Sequence, residues 1–247
     1  GNAALPDNLE AAEAARRGLP VLSLPQAVRQ FLLPGRTSVV ITGTHGKTTT
    51  SALTAWLLLD AGRDPGFLVG GEMRNLGSGY RRGRGPHFVL EGDEYNAAFF
   101  DRGPKFLHYE PRHLFVGNIE YDHADLYPDL ATVVDAFRRV VRLVPPDGVV
   151  VVNADDPLAA EVVGEARASV VRVSLADPNA DLSAREVVFG PERTAFTRPE
   201  AGWPSGRLPS ALPAPHSQRT PHGAPPPRPP PEPPPPPGPP PPPPPPP

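Results

Sequence analysis

The sequence predicts an α/β protein: a P-loop parallel sheet with helices on both faces, followed by a disordered Pro-rich tail. Three observations predict it. Short runs that are apolar on both faces alternate with helix-like stretches. A Gly-rich turn joins one of those runs directly to a helical stretch. Finally, 20 of the 23 residues from Pro225 to Pro247 are proline. Strands covered on both sides read as continuous Val/Ile/Leu runs rather than alternating ones. A near-pure Pro run favours an extended polyproline II rod and buries too little apolar surface to join a core.

Along the chain, residues 1–35 are Ala- and Leu-rich, with short helices expected across Asp7 to Arg17 and Ser23 to Leu32, where Pro25 suits a first turn. Strands are expected at Ser38 to Thr42, His87 to Glu91, Leu114 to Asn118, Val149 to Asn153 and Val170 to Ser174. Between them, Lys47 to Ala61 reads as a helix that turns Leu53, Trp56 and Leu57 to the core and ends at Gly62, and Leu130 to Leu143 reads as a second. Strand–helix–strand alternation implies the layered α/β arrangement. Three segments result: 1–35, a central domain over 36–198, and a tail over 199–247.

Composition removes several classes of function. No apolar run approaches the about 20 residues a bilayer needs, so no membrane span is expected. With 24 basic and 27 acidic residues the net charge is −3, which does not suit a nucleic-acid partner. The absence of Cys excludes disulfides, thiolate metal sites and Cys nucleophiles, and fits a cytoplasmic location. The chain starts at Gly1 and is read as a piece of a longer protein.

The most informative stretch is Ser38-Val39-Val40-Ile41-Thr42-Gly43-Thr44-His45-Gly46-Lys47-Thr48-Thr49-Thr50. A buried strand runs into a glycine turn and straight into a helix. Curled glycine backbone points N–H groups inward, the helix N-terminus adds positive potential, Lys47 supplies a point charge for the β- and γ-phosphates, and the Thr48 hydroxyl suits Mg2+. The expected nucleotide cradle is therefore Gly43, Thr44, His45, Gly46, Lys47, Thr48 and Thr49. Ile41 stands where the general nucleotide loop has its first Gly, so the loop is the shorter Gly-x-x-Gly-Lys-Thr, which disfavours a generic NTPase switch. Lys47 is expected to be an exposed loop residue that can be truncated without harm to the fold.

Two further strand ends are acidic: Glu91-Gly92-Asp93-Glu94-Tyr95-Asn96 and Asn118-Ile119-Glu120-Tyr121-Asp122-His123-Ala124-Asp125. In a parallel sheet both open at the same carboxyl edge as the phosphate loop, where ligands bind, and carboxylates there suit an oxygen-loving Mg2+.

The shortened loop Thr42 to Thr49 and both acidic segments resemble those of the Mur ligase family, ATP-dependent amide-forming enzymes of bacterial cell-wall synthesis. The resemblance implies ATP and Mg2+ as cofactors. It implies catalytic roles for Lys47 and His123, and Mg2+ binding by Thr48, Glu91 and His123. The Gly-rich stretch Val69 to Gly77, read alone as a flexible turn, resembles a family loop whose Asn contacts the sugar nucleotide, which implies substrate binding by Asn75. Residues 1–35 resemble the close of the family's N-terminal UDP-sugar domain, and the resemblance runs to about residue 160. The runs Pro65 to Gly71, Glu94 to Asp101, Lys105 to Tyr109 and Glu120 to Asp125 resemble most the members that join UDP-N-acetylmuramate to the tripeptide L-alanyl-γ-D-glutamyl-meso-diaminopimelate in peptidoglycan recycling. Asn96 and Gly92 depart from that pattern, which has Asp and Ala there.

The resemblance thus implies that UDP-N-acetylmuramate and the murein tripeptide are joined through an acyl phosphate. The alternatives are addition of L-alanine, or a binding module in which the Pro tail recruits an SH3- or WW-type partner. The last is disfavoured because the uninterrupted Pro run, Pro239 to Pro247, lacks flanking basic residues. His108 and His113 are read as core or strand-edge residues, and the 247 residues alone are expected to form no amide.

Overall fold

The structure is a computed structural model that describes residues 8–122, 126–189 and 194–197. Two helices open it. Asn8 caps α1 (Leu9–Arg16) through its side chain, and α2 (Leu24–Phe31) begins with a capping box between Ser23 and Gln26 and with Pro25 in its first turn. Then follow β1 (Thr37–Thr42), α3 (Lys47–Asp60), β2 (Gly66–Met73), β3 (Ser78–Arg81), β4 (His87–Glu91), β5 (Asn96–Ala98), β6 (Asp101–Pro104) and, after a single 3-10 turn, β7 (His113–Val116). The chain continues through α4 (Leu130–Leu143), β8 (Val149–Asn153), α5 (Pro157–Val162), β9 (Ser169–Ser174), β10 (Leu182–Ser183), β11 (Arg185–Phe189) and β12 (Thr194–Thr197).

Eight strands form one sheet in the order β10-β9-β8-β7-β1-β4-β2-β3, parallel throughout except for β3, which runs antiparallel on β2. The strand carrying the Gly-rich loop lies near the middle, with β4 on one side and β7 on the other. All three carboxyl ends therefore open together. Alternation along β1 divides the core in two: Val40 joins Phe88, Leu90, Leu114 and Val116 in the layer under α4 and α5, while Val39 and Ile41 join Phe67, Val69 and Val89 in the layer under α3. Helices cover both faces, as the apolar runs predict. Val28 and Leu33, from α2 and its end, lie in the same core as Phe106 and Phe137.

Three expectations are corrected. The stretch Val69 to Gly77 is not a free loop: Val69 to Met73 completes β2, and only residues 74–77 turn, into β3. The strand expected to reach Asn118 ends at Val116. Helix α3 buries the opposite face from the one expected. Ser51 and Ala55 meet the sheet, with Ala52, Leu58 and Leu59 beside them, while Leu53, Trp56 and Leu57 are exposed. Small residues let the helix axis approach the sheet closely, and that contact outweighs burial of the larger side chains. The helix does stop at Gly62, whose φ is +69°. Residues 199–247, expected to be a disordered tail, lie outside the described residues.

Candidate functional site

Gly43 adopts φ +140° and is pressed against the next loop: a Cβ there would stand 3.1 Å from both the backbone N and the Oδ1 of Asn118. Asn118 holds the phosphate loop twice. Its carbonyl accepts from the Thr44 amide at 2.8 Å and its side-chain Oδ1 accepts from the His45 amide at 2.9 Å. The Glu120 amide donates to the Thr44 hydroxyl at 2.8 Å. Gly46, at φ +77°, is the N-cap of α3, and no side chain caps that helix. The first-turn amides of α3 have no acceptor within the helix, so the loop ends in donors and in the positive end of a helix dipole. Thr48 and Thr49 lie exposed in that first turn, while the His45 ring sits at the rim, 3.5 Å from the Glu120 carboxylate.

Lys47 is not an exposed loop residue. Its side chain is 10% exposed, and Nζ donates to Gly43 O at 2.8 Å, to Thr44 O at 3.1 Å and to both carboxylate oxygens of Glu94, at 2.9 and 3.1 Å. The expectation of a harmless Lys47 truncation therefore fails: it would remove the ammonium group that the Glu94 carboxylate, 5% exposed, is paired with here.

The two carboxylates of the first acidic loop face different groups. Glu91, at the end of β4, accepts from the Thr48 hydroxyl at 2.7 Å and from the Gly70 amide at 2.6 Å. Gly70 comes this close because it has no side chain: a Cβ would lie 3.0–3.2 Å from the Glu91 carboxylate. Glu94 faces Lys47, and its backbone carbonyl accepts from the Tyr127 hydroxyl at 2.6 Å. Burial, with Glu94 nearby, pushes the Tyr127 phenol up to about 12, so it stays a donor at ordinary pH. Burial first, then the charges of Asp93 and Glu91, also raise the Tyr109 phenol. Asp93 pairs with Lys105 at 2.9 Å, which completes the acidic loop.

The sequence-expected residues Gly43 to Thr49 and Glu91 thus come together at one edge of the sheet. Asn75 sits apart in residues 74–77, the hairpin turn beyond Gly70 and Gly71. His123 lies outside the described residues. Asn118, Gly70 and the Glu94–Lys47 pair are parts of this edge that the sequence reading did not single out. For Asn118 the available signal was a polar residue just past an apolar strand, at the edge where ligands bind.

Comparison with known families matches residues 41–216 to the Mur ligase middle domain. The chain belongs to the Mur ligase family. Among curated relatives, it is 39% identical over 169 residues to the UDP-N-acetylmuramate–L-alanyl-γ-D-glutamyl-meso-2,6-diaminoheptandioate ligase of Haemophilus influenzae, covering 64% of this chain and 37% of that one. It is 41% identical over 179 residues to the UDP-N-acetylmuramate–L-alanine ligase of Salinispora arenicola, covering 72% and 34%. The chain thus spans about a third of the length of the curated relatives it matches. Among solved structures, the UDP-N-acetylmuramate:L-alanyl-γ-D-glutamyl-meso-diaminopimelate ligase of Neisseria meningitides superposes with a TM-score of 0.76 at 32% identity, covering 88% of this chain and 68% of that one. The UDP-N-acetylmuramate–alanine ligase of Thermotoga maritima superposes at 0.69 with 25% identity, covering 87% and 46%. The mixed sheet with helices on both faces is the Mur ligase fold.

Proposed function

We propose that this chain carries the ATP site of a Mur-type ligase that activates the carboxylate of UDP-N-acetylmuramate by phosphorylation and joins it to the free amine of the tripeptide L-alanyl-γ-D-glutamyl-meso-diaminopimelate. The observation that carries the reading is the convergence of Lys47, Thr48 and Glu91 beside an uncapped helix N-terminus. Phosphoryl transfer asks mainly for positioning and charge neutralisation. Loop amides and Lys47 would hold the β- and γ-phosphates. Two hard oxygen donors 2.7 Å apart, Thr48 Oγ1 and Glu91 Oε1, fit Mg2+, and His123 would join them. Bound there, Mg2+ would neutralise charge on the phosphate oxygens. The γ-phosphoryl group passes to the carboxylate oxygen, leaving ADP. Attack by the amine then expels inorganic phosphate and forms the amide. Asn75, in the hairpin turn, would contact the sugar nucleotide, and residues 1–35 would close a preceding UDP-sugar domain.

The tripeptide is favoured as acceptor by the closer superposition on the tripeptide-adding ligase, 0.76 against 0.69. A second reading, L-alanine as acceptor, is favoured by 41% identity over the larger share of the chain. Competition between tripeptide and L-alanine in ligation by a form with the full length of its relatives decides between them: a higher kcat/KM for L-alanine rejects the tripeptide. The ATP site is tested by calorimetry on the chain itself. Lys47→Met paired with Glu94→Gln, which removes both charges of the buried pair together, should abolish ATP binding while the protein stays folded. Equal ATP affinity in that variant would reject the phosphate-loop assignment.

A further inference from the structure

We propose that Glu94 sets the nucleotide affinity of this site as a displaceable counter-ion, holding Lys47 until the phosphates of ATP take its place. The inference rests on reading residues 43–49 as the phosphate loop. An ammonium group has three N–H donors, and Lys47 Nζ already has four oxygens at 2.8–3.1 Å: those of Gly43, Thr44 and the two of Glu94. The amine is saturated by its own chain. A phosphate oxygen gains Lys47 only by displacing one of these acceptors, and Glu94 is the one that does not belong to the loop.

Glu94 is anchored from behind. Tyr127 holds its backbone carbonyl at 2.6 Å, Asp93 is tied to Lys105, and the Lys105 amide donates to Tyr95 O at 3.2 Å. With the glutamate backbone held beside the phosphate loop, the incoming phosphates settle near a carboxylate that is 5% exposed. Two like charges in such an environment repel with little solvent screening. Glu91 differs: it faces a hydroxyl and an amide rather than the lysine, which leaves it suited to a cation. Two carboxylates three residues apart therefore pull nucleotide affinity in opposite directions.

The test is ATP binding, with Mg2+, measured by calorimetry on the wild-type chain and on Glu94→Gln. Glutamine keeps the shape and an acceptor oxygen for Lys47 but removes the charge, so ATP should bind about tenfold tighter. The sequence has two lysines, Lys47 and Lys105, so acylation followed by mass spectrometry reads each separately. In Glu94→Gln without ATP, Lys47 should acylate faster than in the wild type, and ATP should protect it. A wild-type chain that binds ATP, beside a folded Glu94→Gln of equal or weaker affinity, overturns the proposal alone. A wild-type chain that binds no ATP overturns the phosphate-loop reading and this proposal with it. Should Glu94→Gln not fold, Tyr127→Phe decides: freeing the carbonyl of Glu94 loosens its anchor, so ATP should bind about two- to threefold tighter, and unchanged affinity overturns the proposal.

Discussion

The two edges of the parallel sheet are built from the same strands to opposite ends. At the carboxyl edge, β1, β4 and β7 run into loops that hold one another largely through side chains: Asn118 Oδ1 on the His45 amide, Glu91 on Thr48, Glu94 on Lys47. At the amino edge the chain closes on itself mostly through backbone and exposed charge. The Thr37 amide donates to Pro86 O, the Arg112 amide to Ser38 O, Arg36 reaches the carbonyls of Arg82 and Gly83, and Arg112 pairs with Asp147 in the open. The buried Lys47–Glu94 pair and the side chains interlocked around it give one edge an intolerant geometry, whereas screened contacts at the other serve only to finish strands.

That contrast breaks if substitutions at the two edges weigh alike. The largest effect is expected from Gly43→Ala, which forces a Cβ against Asn118 at a positive φ. ATP affinity should fall by about tenfold or more and the fold should lose about 1–3 kcal/mol, read by calorimetry and thermal melting. Asn118→Ala removes the acceptor of the His45 amide while leaving the carbonyl that holds Thr44. ATP binding should weaken by several-fold, with a stability loss of about 1 kcal/mol in denaturant melts.

At the amino edge the expected signal is in pH rather than ligand. Burial, followed by the charges of His87 and Arg112, lowers the titration of His113 in the folded state. Below the ordinary histidine value of about 6.5 the unfolded chain takes up a proton that the folded chain resists. Stability should therefore fall as pH drops from 7.5 through 6.5 toward 5, and His113→Gln should flatten that part of a melting-temperature profile without altering ATP affinity. Smallest of all is Arg112→Ala, whose partner Asp147 is well exposed. It should cost at most about 1 kcal/mol and leave nucleotide binding unchanged.

How much of this was written in the sequence depended on whether local chemistry or a distant neighbour decided the outcome. Strand β8 matches its expected bounds because a Val run between Gly148 and Ala154 admits no other reading. The phosphate loop is legible for the same reason: glycine spacing, Lys47 and the Thr run are all local. Strand β2 was hidden by Gly70 and Gly71, which weaken any strand signal, and are there because Glu91 and Thr48 crowd the space a Cβ would take. The inward face of α3 is not legible from periodicity, which favours large residues inside, whereas Ser51 and Ala55 let the helix lie close to the sheet. The roles of Glu91 and Glu94 could not be told apart in a run of three carboxylates. Only the fold brings Thr48 to one and Lys47 to the other.

The central claim is that ATP is held at this edge with its Mg2+ between Thr48 and Glu91. It is tested most directly by the Mg2+ dependence of ATP affinity in the wild-type chain and in Glu91→Gln, by calorimetry with saturating Mg2+ and again with a chelator. The wild-type chain should bind ATP about tenfold or more tightly with Mg2+ than without it, and Glu91→Gln should lose that gain while keeping the Mg2+-free affinity. The same gain in both proteins would contradict the placement of the metal at Glu91.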